Sequence, residues 1–295
     1  MATTQDYLKL HFIVFLWGFT AILGKLISIP NVEMVFYRTL LASVGMGVFI
    51  FLAKGTFKIQ TTDLIKLLAT GLIVAVHWLT FFGSGRISNP STSLVGFATC
   101  SFWAALLEPL FKGKKIQPLE IGLGIVVMVG LSIIFSFGFQ YPMGLFLGII
   151  SGVTAALFSI INSKMISRVA ATTITFYQMI GATLGILLFL PAYKQFWTVD
   201  STLQWVPTAM DWVYLCTLAW VCSVYAYSAA IELMKRLSVF IIQLTLNLEP
   251  LYGIILALAV FGQQEVMGIN FYAGTLIIIS AVVFYPYLKK KFEIP

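Results

Sequence analysis

A single carboxylic acid interrupts the apolar stretch LTLNLEPLYGIILALAVFG, and a proline follows it directly. The acid is Glu249 and the proline is Pro250. A charged side chain at the centre of a lipid bilayer costs about 2.5–3.5 kcal/mol or more, and a proline inside a helix removes one N–H donor and kinks the helix. Together they predict a polar cavity that water and a small ligand can reach. The alternative interpretation is a protonated carboxyl group that packs beside a kink.

Two polar residues precede Glu249 on the same stretch, Gln243 about one and a half turns earlier and Asn247 two residues earlier. At about 100° per residue, Gln243, Asn247 and residues 250–251 share one face of a helix, and Glu249 is displaced to one side. The spacing predicts a hydrated stripe along this helix.

Arg38 and His77 are the polar candidates in two earlier apolar stretches. Arg38 lies about two turns into its stretch, where a guanidinium group can anchor a carboxylate or pair with Glu33 or Glu249. The alternative for Arg38 is snorkelling to the membrane surface, which we also expect for Lys25. His77, in VAVHWLTFFGSG, lies near mid-depth and is either a ligand-binding group or a structural hydrogen-bonding group.

Several aromatic residues carry a polar edge that needs a partner at membrane depth, which a cavity can supply. These candidates are Trp17, Tyr37, Trp78, Trp103, Tyr177 and Tyr225. Gln178 joins them because it occupies, in the second half of the chain, the position that Arg38 occupies in the first.

The composition identifies the class of protein, since 60% of the 295 residues are hydrophobic and only 10% are charged. Soluble domains contain about 25% charged residues. A membrane-spanning helix needs about 20 mostly apolar residues, and ten segments meet that length. They cover residues 8–27, 32–53, 64–84, 91–111, 119–139, 143–166, 172–192, 209–231, 237–261 and 266–288. The sequence therefore predicts an all-α membrane protein with ten transmembrane helices.

Basic residues fall on one side of these segments. Of the eighteen Lys and Arg residues, fourteen lie at the amino end, in the even-numbered connections and in the tail. The odd-numbered connections hold only Arg86 and Lys194. By the positive-inside rule, both termini are cytoplasmic, and the net charge of +7 reflects this bias rather than a nucleic-acid surface.

The two halves of the chain resemble each other weakly. WGFTAILGKLI precedes FYRTLLAS in the first half, and SGVTAALFSII precedes FYQMIGAT in the second. Later in each half, Gly113 aligns with Gly262 and Gly124 with Gly274, which places Ser101 opposite Glu249. Five helices is an odd number, so the halves, residues 1–139 and 140–295, enter the membrane in opposite senses, as inverted repeats do.

These motifs, in their order and spacing, resemble EamA-type members of the drug/metabolite transporter superfamily across essentially the whole chain. The resemblance rests on LWGFTAILGKL, FYRTLLAS, IELMKRLSV, NLEPLYG and the glycine-containing GLGIVVMVGL and GTLIIISAVV. It implies two inverted five-helix repeats around a cavity lined by helices one to four and six to nine. The acidic residue expected after the fourth-helix glycine is absent from FKGKKIQ, which weakens any role for Glu265.

We expect a secondary transporter, and specifically an exporter, of small amphipathic metabolites such as amino acids or related compounds. Its partners would be the substrate and the lipid bilayer of the inner or plasma membrane. Glu249 could exchange a proton during transport, and no oligomer is required. A sugar- or nucleotide-sugar-type exchanger is the alternative in the same class, and a membrane-embedded enzyme is the alternative from another.

Other classes fit less well. The sequence holds no G-x-x-x-x-G-K-[ST] loop for ATP and no H-E-x-x-H motif for zinc. The basic clusters have no folded groove on which to bind nucleic acid. We therefore expect no enzyme activity, no cofactor, no metal ion and no nucleic-acid partner.

Overall fold

The computed structural model describes residues 2–88, 90–134, 141–198, 202–252 and 269–292, and these residues form helices and no strand. The helices are α1 (Thr4–Leu26), α2 (Asn31–Leu52), α3 (Thr61–Ile87), α4 (Pro90–Lys112), α5 (Pro118–Ile134), α6 (Pro142–Met165), α7 (Ala171–Trp197), α8 (Ala209–Leu233), α9 (Val239–Tyr252) and α10 (Ile269–Lys291). Gly262, Glu265 and the side chain of Lys25 lie outside the described residues. The predicted all-α class is confirmed for the described part of the chain.

Eight of these helices are long and apolar enough to cross a membrane, and α5 and α9 are shorter apolar helices. Helices α3 and α7 have 27 residues each and extend beyond the predicted segments at both ends. Their extra residues include Asp63, Arg86 and Lys194, because a helix can continue into the interface with its backbone hydrogen bonds intact while polar side chains meet water.

Each helix packs against specific neighbours. Helix α3 contacts α6 and α7, α4 contacts α6, α2 contacts α7 and α8, α1 contacts α8 and α9, and α5 contacts α10. At the crossing of α3 and α7, a Cβ atom on Gly71 would collide with the backbone carbonyl of Gln178, and one on Gly181 would collide with that of Leu68. Glycine is needed at both positions because only its missing side chain lets the two backbones approach this closely.

Two helices depart from regular α geometry near their middles. In α8, residues Thr217–Tyr225 are π-helical, a form that is rare and occurs mostly at functional positions. In α9, Asn247 and Leu248 form a turn with i→i−3 bonds to the carbonyls of Leu244 and Thr245. This interruption lies where the Pro250 kink is predicted.

Candidate functional site

A cavity lies among the helices and is lined by residues of α1, α2, α3, α4, α6, α8 and α9. Water molecules could place their centres in about 80 Å³ of it, which is enough for several waters. The walls include seven aromatic residues: Trp17, Trp78, Phe81, Phe82, Phe97, Phe158 and Tyr227. The polar groups include Thr20, Arg38, His77, Ser159, Gln243 and Glu249.

Arg38 and Glu249 bring opposite charges into this cavity from α2 and α9. Only 3% of Arg38 and 7% of Glu249 is exposed. Glu249 Oε1 lies 3.2 Å from Thr20 Oγ1, whose single proton can go either to this carboxyl oxygen or to the carbonyl of Trp17 at 2.6 Å. Among the ion pairs of the described residues, neither charge takes part in one, so each has hydrogen-bonding capacity left for a ligand.

The guanidinium group of Arg38 is held by two contacts. Its Nε donates to Ser223 Oγ at 2.9 Å, and its carbon lies 4.1 Å from the ring centre of Trp78. A cation over an indole face is attracted by the ring quadrupole. Ser223 donates in turn to the carbonyl of Leu218 at 3.0 Å, which is the i→i−5 spacing of the π-helical segment. The unusual helix geometry thus positions the residue that orients Arg38.

Trp17 also contacts the π-helical segment, since its Nε1 donates to the carbonyl of Cys222 at 2.9 Å. Cys222 lines the cavity with Trp17. The indole edge therefore has a backbone partner, and its apolar surface remains for the cavity wall.

His77 joins α3 to α6 through Ser151. Its Nδ1 lies 3.0 Å from the carbonyl oxygen and 2.9 Å from the hydroxyl of Ser151, and the tautomer decides which of these bonds forms. The imidazole ring packs against Phe97 and Phe158 at centre distances of 5.6 and 5.4 Å. His77 is therefore both a structural hydrogen-bonding residue and part of the cavity wall.

Gln178 reaches the cavity through a closed ring of three hydrogen bonds. Its Nε2 donates to Asn162 Oδ1 at 2.6 Å, Asn162 Nδ2 donates to the Tyr227 hydroxyl at 3.1 Å, and that hydroxyl donates to Gln178 Oε1 at 2.8 Å. Gln178 does not line the cavity itself, but it fixes Tyr227, which does. Its role in the structure is to position a wall residue.

The predicted stripe on α9 is divided between two sides of the helix. Gln243 and Glu249 line the cavity with Ile242 and Leu246, whereas Asn247 faces a separate small pocket with Thr275. The reason is helix phase, because Ile242, Leu246 and Glu249 follow i, i+4, i+7 spacing, with Gln243 at the edge of that face and Asn247 farther round the helix. The prediction that Gln243 and Asn247 share a face apart from Glu249 is therefore wrong.

Tyr37 and Tyr177 lie outside the cavity and hold connecting segments instead. The Tyr37 hydroxyl donates to the carbonyl of Trp205, just before α8, at 2.6 Å. The Tyr177 hydroxyl donates to the carbonyl of Phe57, just before α3, at 2.8 Å. Each tyrosine therefore binds the segment that leads into the third helix of the opposite half. We call these two hydrogen bonds the Tyr37 latch and the Tyr177 latch.

Trp103 and Tyr225 also lie outside the cavity. Trp103 packs against a small buried cluster that contains Ala156 and Val239, and its indole nitrogen has no hydrogen-bond partner among the described residues. Tyr225 is 45% exposed and contacts Phe12 edge to face. Both residues are aromatic at membrane depth for packing reasons.

Sequence reasoning missed several residues that contribute to the site. Thr20 is one turn from Trp17 on the same helix face, a spacing that could have revealed it. Ser159 and Asn162 follow Ser151 on one face of α6, so a polar stripe was readable there as well. Ser223 left no signal, because its role depends on the π-helical register. Within the described residues, no group of three or more His, Cys, Asp or Glu side chains could hold a metal ion.

Apolar helices around a buried cavity with charged and aromatic walls define a multi-pass membrane protein of the transporter class. The chain belongs to the EamA-like transporter family, whose profile matches residues 7–136 and 142–285. Membership in this family indicates a membrane transporter rather than an enzyme.

Known relatives agree with this assignment. The chain is 22% identical over 257 residues to the uncharacterized transporter YxxF of Bacillus subtilis, with 84% of this chain and 79% of the relative covered. It is 24% identical over 191 residues to an uncharacterized transporter of Archaeoglobus fulgidus, with 63% and 68% covered. A protein of known crystal structure superposes with a TM-score of 0.79 at 13% identity over 99% of this chain and 100% of that protein. This last similarity concerns the fold alone.

Proposed function

We propose that the protein is a secondary transporter that exports small amphipathic metabolites, such as amino acids or related compounds. The observation that carries the proposal is the cavity with two opposite charges, Arg38 and Glu249, that are not paired with each other. Buried charges are normally paired. A zwitterionic substrate would supply a partner to both at once.

The cavity walls match the two kinds of surface on such a substrate. A carboxylate can accept two N–H bonds from Arg38, whose NH1 and NH2 groups are not used by Ser223. An ammonium group can donate to Glu249 beside Thr20. The apolar part would pack on the aromatic walls that include Trp78 and Phe158. Among the described residues that line the cavity, Arg38 is the one arginine, which suits one carboxylate better than a phosphate-rich ligand.

The helix packing supports alternating access by two inverted halves, residues 1–139 and 140–295. If each helix n is exchanged with helix n+5, the contact of α3 with α7 becomes that of α8 with α2, and α4 with α6 becomes α9 with α1. The contacts of α2 with α7 and of α5 with α10 map onto themselves. The Tyr37 and Tyr177 latches are related by the same exchange. Rocking of such halves about a central site is how inverted-repeat transporters open to each side in turn.

Glu249 is also the group that we propose carries a coupled proton. It lies next to the interrupted part of α9, in a cavity with room for several waters. A proton could therefore reach the carboxyl group from a bulk phase when the cavity opens. We propose export as the direction of transport.

The test uses the purified protein in liposomes loaded with an equimolar mixture of the twenty common amino acids, with efflux of each measured by mass spectrometry. We expect some of the amino acids to leave faster than they leave protein-free liposomes loaded with the same mixture. Arg38→Gln and Glu249→Gln should abolish or strongly reduce that flux. Glu232→Gln is the matched control, because Glu232 is an exposed carboxylate paired with Lys235 on the surface. If the wild-type protein gives the same flux as protein-free liposomes for all twenty compounds, the proposed substrate class is contradicted.

A further inference from the structure

One buried acceptor at the cavity has no partner. Gln243 is 1% exposed and lines the cavity, yet its Oε1 accepts no hydrogen bond within the described part of the chain. The other polar groups of this residue are used: its Nε2 donates to α6, and its backbone carbonyl accepts from Asn247 Nδ2 at 3.1 Å. The unused oxygen is therefore an isolated feature of an otherwise satisfied residue.

The orientation of this amide is fixed by its neighbours. Gln243 Nε2 lies 3.2 Å from the carbonyl oxygen of Ala155 and 2.8 Å from Ser159 Oγ. A backbone carbonyl can only accept, so the nitrogen of Gln243 must face Ala155. The oxygen is therefore the atom of this amide that no donor among the described residues meets.

Leaving a buried acceptor unpaired is unfavourable. The bonds of Nε2 to α6 account for the amide nitrogen but not for the oxygen, which suits a partner that binds and leaves. The oxygen is closed off from the water of the cavity in this structure, so a ligand donor can reach it only when the cavity wall moves.

The distance along α9 determines which part of a ligand meets this oxygen. Gln243 and Glu249 are six residues apart, which is about 9–10 Å along a helix with one tight turn. Phe158 and Trp78 line the cavity as well. A substrate with its charged head at Glu249 and Arg38 would therefore lay an apolar middle on the aromatic walls and place its far end near Gln243.

We propose that Gln243 Oε1 accepts a hydrogen bond from a neutral hydroxyl or N–H group at the end of the substrate remote from its charged head. This inference rests on the proposed function and narrows its substrate class to elongated molecules with a donor at the far end. Gln243 is thus a specificity-determining residue rather than a general binding residue.

The test compares amino acids that differ in one far-end donor, in the same liposome assay. The pairs are tyrosine with phenylalanine and glutamine with methionine, and the reference pair is threonine with valine, which differs next to the backbone. In each of the first two pairs, we expect the wild type to transport the amino acid that has the far-end donor at least about tenfold faster than the one that lacks it. Gln243→Met should reduce both ratios to near one and leave the threonine-to-valine ratio unchanged.

Thr245→Val is the matched control on α9. Thr245 is buried but bonds only the carbonyl of Ile241 in its own helix, at 2.8 Å, so this variant should keep all three ratios. If Gln243→Met does not fold, Gln243→Asn replaces it, because the shorter side chain withdraws the oxygen by one methylene and should lower the same ratios.

The outcomes separate the two proposals. Flux without a far-end preference in the wild type, or a preference that persists in Gln243→Met, overturns the role of Gln243 and leaves the proposed function intact. Absence of any amino acid flux in the wild type overturns the proposed substrate class, and the inference about Gln243 falls with it.

Discussion

Arg38 stacks on Trp78, with the guanidinium carbon 4.1 Å from the ring centre, and does not form an ion pair with Glu249. The cation–π contact and the bond to Ser223 stabilise the charge without neutralising it. Arg38 is thereby held in one orientation with two nitrogen atoms available. Such preorganisation lowers the entropy that a ligand would lose on binding.

The contrast between Trp78 and Trp103 gives a first prediction. Trp78 lines the cavity and supports Arg38, whereas Trp103 packs outside it. Trp78→Ala should reduce transport at least about tenfold while the protein remains monodisperse in detergent. Trp103→Ala should instead lower the free energy of unfolding by about 0.5–3 kcal/mol, because this side chain is partly buried, and retain most of the transport per folded molecule. Equal losses of transport in both variants would assign Trp78 to packing.

Orientation in the membrane gives a second prediction, which follows from the distribution of the basic residues. Cysteines introduced at Lys58 and Lys290 should be protected from a membrane-impermeant thiol reagent in intact cells, because both positions are expected on the cytoplasmic side. A cysteine at Lys194 should be labelled. Cys100 and Cys222 are buried but Cys216 is only partly buried, so the introduced cysteines are placed in a Cys216→Ser background and that background is the control. The reverse labelling pattern would invert the topology and move Arg38 to the inner half of the bilayer.

The two latches give a third prediction. Tyr37→Phe and Tyr177→Phe each remove one hydroxyl that bonds a backbone carbonyl and keep the aromatic packing. Each change should lower the free energy of unfolding by about 0.5–1.5 kcal/mol, and the double variant should lose the sum because the two latches share no partner. Thermal unfolding in detergent measures the effect. Tyr272→Phe is the control, because Tyr272 is exposed on α10 and should change little.

A non-additive loss in the double variant would show that the two latches are coupled across the molecule. This outcome would contradict their independence in the static structure. It would also suit a rocking motion in which both connecting segments move together.

The pattern of residues was sufficient to predict the helical class and the two charges of the cavity. Arg38 and Glu249 were readable because a charge inside an apolar stretch has few structural explanations. Tyr37 and Tyr177 were read as cavity residues because a polar edge at that depth needs a partner. Their partners are backbone carbonyls of connecting segments, and no local spacing indicates where such a segment will pack.

The angular positions of residues around α9 limited how well the sequence could predict which of them line the cavity. Ile242, Leu246 and Glu249 follow an i, i+4, i+7 pattern that places them on one face even in a regular helix, and that face lines the cavity. Gln243 lies at the edge of this face and Asn247 lies farther round the helix. The angle between these two residues therefore did not indicate that only Gln243 lines the cavity.

The final prediction concerns Glu249 itself. Glu249→Gln keeps the side-chain shape and the acceptor for Thr20 but removes the negative charge and the titratable proton. If Glu249 binds the substrate ammonium group or carries a proton, this variant should insert and fold normally yet lose net transport. If it carries the proton alone, the variant should retain exchange of substrate across the membrane and lose the dependence of its rate on pH. Flux is measured in proteoliposomes from pH 5 to pH 9, with and without a proton gradient.

Thr20→Val refines the same test, since it removes only the hydroxyl whose oxygen lies 3.2 Å from Glu249 Oε1. The carboxyl group then keeps its charge but loses this neighbouring donor, so we expect a weaker apparent affinity for substrate with a smaller change in maximal rate. Glu232→Gln again serves as the surface control. Wild-type flux at every pH in Glu249→Gln would reduce Glu249 to a packing residue beside the kink, and the proposed transport mechanism would then lack its acidic group.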